Sequence, residues 1–295
     1  MTIKETAPKR LIDYSNRTGV ENIINEAAEI LNDGGIVVVP WGRPQRRIFA
    51  MLGVADDTEV AKKINRAKGR PENQTLSISI IPEAVTAVII PESSPVLMRA
   101  AKRFRRNPGE ILGDILRAMP IGFFLEARPY LGDWVTSLEE GRRVVYIGGG
   151  DTDHPQNFYS ILYERFFRRY GRLLIGTSAN RTGEDTHPVH EHKQAFEELG
   201  PAINLFVVDK DVRVSPIPIF QHHVSPTMIN LLKDPAELIR RGSKHERVLE
   251  WYFGKVLTPK GAKIYTNSER EWETVLSNRL NTVLSRVGKT TPTLV

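Results

Sequence analysis

Four consecutive branched aliphatic residues, Ile36-Val37-Val38-Val39, stand between the pair Gly34-Gly35 and Pro40. A run without polar alternation reads as a strand buried on both faces, so the chain must supply a layer on each side of it. The segment before the run supplies one. Thr18-Gly19-Val20-Glu21 has capping-box spacing, and Ile23, Ile24, Ala27, Ala28, Ile30 and Leu31 then recur at helical period until the glycines stop the helix. The alternation continues downstream. The spacing predicts helices over 58–67, 91–106, 158–170 and 190–199, and strands over 76–81, 122–126, 144–147, 173–176 and 205–208. Within 91–106, Val96, Leu97, Ala100 and Phe104 fall on one face. Strands alternating with helices imply an α/β layered fold.

The ends differ from this pattern. Residues 1–17 are polar and aperiodic and read as a flexible arm, which leaves 18–243 as the α/β domain. Residues 244–295 read as a helical C-terminal extension, with a helix over His245–Phe253 and a second capping box at Ser268-Glu269-Arg270-Glu271. Trp272, Val275, Leu276, Leu280, Val283, Leu284 and Val287 form an apolar stripe at helical spacing. That stripe calls for cover, from the main domain or from a second copy in an oligomer.

Composition narrows the chemistry. With no cysteine there is no disulfide, thiolate zinc site or thiol nucleophile. The apolar runs are too short to span a bilayer and the opening residues are polar, so a cytoplasmic protein without a membrane partner is expected. Forty-one Lys and Arg against 35 Asp and Glu give a net charge of +6 over 295 residues, which favours an anionic partner such as a nucleotide or RNA.

No Walker A sequence, no G-x-G-x-x-G and no G-x-S-x-G elbow occurs. Three other segments are suited to anions. Gly148-Gly149-Gly150-Asp151 follows a predicted strand and brings backbone amides together, or is an ordinary turn. Lys68-Gly69-Arg70-Pro71 ends a predicted helix; it offers a point charge and a planar fork around one phosphate or carboxylate, or simply cations at a helix C-terminus. Thr177-Ser178-Ala179-Asn180 follows the strand over 173–176, where hydroxyl and amide groups suit a polar ligand or a turn. His187, His190, His192 and the pair His222-His223 raise a metal site, but their turn and helix-start contexts read as surface histidines, and no metal ligand is assigned. Lys102–Arg106 and Arg165–Tyr170 mix arginine with aromatics; RNA phosphates would suit them, and solvated helix faces with their aromatics turned inward account for them first.

In order along the chain these segments resemble the threonylcarbamoyl-AMP synthase family, the YrdC/TsaC-like proteins. The resemblance runs from about Val20 to Ser243. It is carried by Gly35–Pro40, by Lys68-x-Arg70-Pro71, by Asn107-Pro108-Gly109 in place of a Pro-Gly-Pro turn, and by Asp153-His154-Pro155. Thr177–Gly183, and Ser225–Asn230 with Arg240-Arg241-Gly242, complete it. The resemblance implies a twisted YrdC-like α/β fold around a basic cleft. It also implies ATP as substrate, usually with Mg2+, and carboxylation of an amino compound by bicarbonate or CO2. Transfer to AMP with release of pyrophosphate follows, in the service of tRNA modification. Lys68 and Arg70 would hold phosphate and carboxylate charge, Thr177, Ser178 and Asn180 would orient the reactants, and Ser225 and Arg241 would complete the nucleotide and substrate site.

Two departures bear on the substrate. The family's Pro-Thr-Glu/Asp-Thr-hydrophobic-Tyr-Gly-Leu stretch, which contacts threonine, is here Pro40-Trp41-Gly42-Arg43-Pro44-Gln45-Arg46-Arg47-Ile48-Phe49. The arginine normally preceding the Asp-His-Pro segment aligns with Gly150. The expectation is a carbamoyl-adenylate synthase acting on an amine other than threonine. A non-catalytic RNA- or nucleotide-binding relative is the alternative, and carbamoyl transfer from a preformed adenylate a third reading.

Overall fold

In the computed structural model, residues 10–13, 19–41, 49–119, 121–149, 157–179, 196–197, 199, 202–209, 226–241, 246–259 and 263–264 are described. The branched run forms β2 (Val37–Pro40), buried at every position as its composition requires. Around it, thirteen described strands make one mixed sheet. The others are β1 (Arg10–Asp13), β3 (Phe49–Val54), β4 (Ser77–Ile80), β5 (Ile121–Glu126), β6 (Thr136–Glu139) and β7 (Arg142–Gly149). β8 (Leu174–Ser178), β9 (Leu205–Val208), β10 (Thr227–Asn230), β11 (Ala236–Arg241), β12 (Val256–Leu257) and β13 (Lys263–Ile264) follow. The order is β1-β9-β2-β3-β8-β4-β7-β5-β10-β11-β12, with β13 on β11 and β6 on β7.

The helices are α1 (Val20–Asn32), α2 (Thr58–Ala67), α3 (Val85–Val88), α4 (Pro95–Phe104), α5 (Pro108–Ala118), α6 (Phe158–Tyr170) and α7 (Glu246–Phe253). α1 packs on α6, and both reach β2. Ile24, Ala27, Ala28 and Leu31 of α1 and Tyr159, Leu162, Tyr163 and Phe166 of α6 are wholly buried there. At about 25 cal/mol per Å2 of apolar surface, this layer is a main source of stability.

Several expectations change on contact with the structure. Within the polar segment 1–17, Arg10–Asp13 form β1, paired in parallel with β9, because extended backbone finds an open sheet edge there. α1 has Gly19, at φ +74°, as its N-cap, with no side-chain cap; Thr18 of the expected capping box lies outside the described residues. The helix predicted over 91–106 is interrupted: Pro91–Ser93 form a 3-10 turn, and Ser94 caps α4 by accepting from the Leu97 amide at 3.2 Å. Asn107-Pro108-Gly109 is the start of α5 rather than a bare turn, with Asn107 as cap and Pro108 at the first position, where proline lacks only an amide that would be orphaned anyway. After residue 243 the chain adds α7, β12 and β13 to the same body. The Trp251 and Tyr252 rings pack at a tilt against Phe104, at 4.7 and 5.6 Å. The helix expected over 190–199 lies largely outside the described residues, and the 272–287 stripe wholly so.

Candidate functional site

Two segments distant in sequence meet where α2 ends. Asp57 starts α2 by accepting from the amides of Glu59 and Val60, at 2.9 and 3.3 Å. The helix closes at Lys68, and Gly69 at φ +66° turns the chain so that the Arg70 amide returns to the Asn65 carbonyl at 2.9 Å. The Lys68 side chain is fully buried, and its ammonium donates to the Ser178 carbonyl at the end of β8. Burial, assisted by the like charge of Arg70, brings the Lys68 amine down to about 7. Burial also lowers the half-buried Arg70 guanidinium.

From this junction a cavity of about 270 Å3 crosses the sheet. Its floor is Ser77 and Ser79 of β4, Gly148 of β7 and Gly176 of β8, alternating with buried Ile78, Ile80, Ile147 and Ile175. The strand period of two therefore puts small polar groups on the cleft face and aliphatics in the core. Ser77 donates its hydroxyl to the Gly176 carbonyl, fixing two floor strands together. Trp41 and Phe49 stand on the β2–β3 side, and Tyr146, Met228 and Arg240 on the β7–β11 side. Arg240 donates from Nε and Nη2 to the Pro226 carbonyl, at 3.1 and 3.0 Å. The Tyr146 ring lies over Gly122, where any side chain would collide with it, and 5.5 Å from the Phe124 ring. Burial raises the Tyr146 phenol, with Arg240 pulling the other way. Two arginines and no carboxylate line the cavity among the described residues, so its chemistry suits an anion.

The basic helix faces are occupied otherwise. Arg103 donates to the Trp251 carbonyl at 2.9 Å and lies over the Phe104 ring. Arg106 pairs with Asp114 and Glu110, Arg165 with Glu21, Arg168 with Glu164 and Arg169 with Glu29. Phe166 is buried.

No protein-family model and no curated protein matches the chain. Solved structures do. P. abyssi Sua5 complexed with L-threonine superposes with a TM-score of 0.60 at 18% identity, over 96% of this chain and 77% of that one. E. coli YciO gives 0.55 at 16% identity, over 81% of this chain and 97% of that one. A hypothetical protein, smu.1377c of Streptococcus mutans UA159, gives 0.58 at 14%, over 89% and 100%.

The fold is that of Sua5 and YciO. Within this Sua5-like fold, Arg70, Thr177 and Ser178 share the cleft, and Lys68 supports it from behind Ser178. Asn180 and Ser225 lie outside the described residues, as do Gly150, Asp151, Asp153-His154-Pro155 and the histidines at 187, 190, 192, 222 and 223. Of Arg241 only its place in β11 is described; its neighbour Arg240 is the one that lines the cleft. Gly148 and Gly149 do not form a turn after β7 but end it, paired with β4 and β5. The sequence alone assigns no role to Ser77, Ser79 or Tyr146, and within Arg240-Arg241-Gly242 it points to Arg241 where the cleft takes Arg240. The Ser-Ile-Ser-Ile alternation is the available signal for the first two; Tyr146 carries none before the strands are paired, and the Arg-Arg-Gly segment does not say which arginine faces the cleft.

Proposed function

We propose that this cleft binds an adenine nucleotide and that the protein is an ATP-dependent synthase joining a carboxylated amino compound to AMP. The observation that carries the reading is the meeting of Lys68, Arg70 and Ser178 at one end of an anion-suited cleft in a Sua5-like fold. The amine nitrogen attacks CO2, supplied as such or from bicarbonate, and loses a proton. A carbamate oxygen then attacks the α-phosphorus of ATP, and pyrophosphate leaves. Arg70 holds phosphate oxygens through its planar fork, and Lys68 adds charge behind Ser178 as negative charge gathers. No protein nucleophile is required; position and charge lower the barrier.

Magnesium accompanies ATP in many such reactions. The described lining residues include no carboxylate, and no cluster of three His, Cys, Asp or Glu occurs among the described residues. They do not fit a metal held by the protein itself; a magnesium ion here would arrive on the phosphates.

The amine is not threonine in this reading. Trp41 and Phe49, which line the cleft, belong to the Pro40–Phe49 stretch that replaces the Pro-Thr-Glu/Asp-Thr-hydrophobic-Tyr-Gly-Leu segment by which, on the resemblance, threonine is contacted. The test is pyrophosphate release by the purified protein with ATP, bicarbonate and a panel of amino compounds. Release with one or more members, and little with threonine, is expected. Rapid threonine-dependent release would refute the substrate assignment, and none with any amine, alongside intact nucleotide binding, would favour a non-catalytic binding protein. RNA as a partner has less support, since the arginine-rich helix faces are engaged in ion pairs.

A further inference from the structure

The turn that presents Arg70 has little packing of its own. Residues 71–75 are all exposed. Its position depends on hydrogen bonds, and three of them converge on Asn65, a fully buried residue of α2. The Asn65 carbonyl accepts from the Arg70 amide at 2.9 Å. The Asn65 side-chain Nδ2 donates to the carbonyls of Glu72 and Gln74, at 3.1 and 2.7 Å. Beyond them, Thr75 and Leu76 line the cleft and the Leu76 amide is tied to the Trp134 carbonyl at 2.9 Å. The side-chain Oδ1 of Asn65, by contrast, is buried without a hydrogen-bond partner. An amide that leaves one end unsatisfied in the core is a poor choice for stability alone, since an unpaired buried acceptor forfeits its solvation. What the amide uniquely supplies is two donors aimed at a loop.

We infer that Asn65 is a positioning residue: its side chain tethers the 70–75 turn and so sets where the Arg70 guanidinium meets the anionic ligand. This rests on the nucleotide reading given above. A carboxylate of the same shape, Asn65→Asp, offers no donor and faces two carbonyl oxygens, so the tether is replaced by repulsion.

The experiment has two arms. In the first, hydrogen exchange of the peptide spanning 66–76 is followed without any ligand; Asn65→Asp should speed exchange there and leave the α6 region unchanged. In the second, ATP is titrated calorimetrically into the parent, Asn65→Asp, Arg70→Ala and the double variant. Asn65→Asp should weaken binding about ten-fold, within the range of coupled contacts, and should add almost nothing once Arg70 is gone. A general loss of stability would instead weaken binding by the same factor in both backgrounds. Asn65→Ala, which removes both donors without adding a charge, repeats both arms should the aspartate fail to fold. Unchanged exchange in the turn, or additive losses in the cycle, overturns the inference. If Arg70→Ala binds ATP like the parent while exchange in the turn is altered by Asn65→Asp, the nucleotide reading fails and the tether stands.

Discussion

Lys68 is an amine that folding has removed from water. Its amine near 7, against an ordinary value of 10.5, means that the folded chain has given up a proton the unfolded chain keeps across that interval. Stability therefore rises with pH from about 7 towards 10.5, because the unfolded state binds more protons there. A phosphate brought into the cleft reverses the local balance, since opposite charge favours the protonated amine. At pH 8, where the amine near 7 is mostly neutral, ATP binding should take up protons, with a stoichiometry approaching one. Calorimetry in two buffers of different ionisation heat measures this directly. The uptake should vanish in Lys68→Met; equal uptake by parent and variant would show that the proton belongs to another group.

At the scale of elements, the cleft floor works because small residues let strands approach. Gly149 pairs with Ile80, and a methyl group there would press on the Ile80 carbonyl oxygen and come within 3.1 Å of its Cγ2. Backbone cannot rotate away as a side chain can, so Gly149→Ala should cost about 1–3 kcal/mol, read as a lower melting temperature. A variant as stable as the parent would mean that β4 and β7 shift apart without penalty. These elements also mark the limits of sequence reading. α2 and α6 were legible to the residue, and β2, β4, β5, β7, β8 and β9 nearly so, because unbroken apolar runs and helical spacing leave little choice. β3 was missed since its Phe49–Val54 run follows the unusual Pro40–Phe49 stretch, whose arginines masked the strand beginning. α5 was missed because a resemblance to a turn stood in for its periodicity, and β6, β12 and β13 are too short to show an alternation. Of the site, Lys68, Arg70, Thr177 and Ser178 were legible as paired motifs. Tyr146 and Asn65 were not, because each acquires its role from a partner far away or from a turn that only the fold defines, and the choice between Arg240 and Arg241 rests on the facing of β11.

For the whole molecule, strand order brings the Lys-x-Arg turn to the end of β8 and sets β7, β10 and β11 opposite it, so that one cleft collects both arginines. Among the described residues no helix is long and apolar enough to cross a membrane, and α7 docks through Trp251, Tyr252 and Phe253 onto the same body. The architecture is shared with Sua5 and YciO at identities below 20%, which leaves nucleotide binding as the claim on which the functional account turns. Calorimetric titration of ATP into the parent protein and into Arg70→Ala tests it most directly. Saturable binding by the parent is expected, with a loss of about ten- to a hundred-fold in the variant, the size of a charge-assisted contact, and circular dichroism unchanged. Equal affinities, or no binding of ATP by the parent, would contradict it.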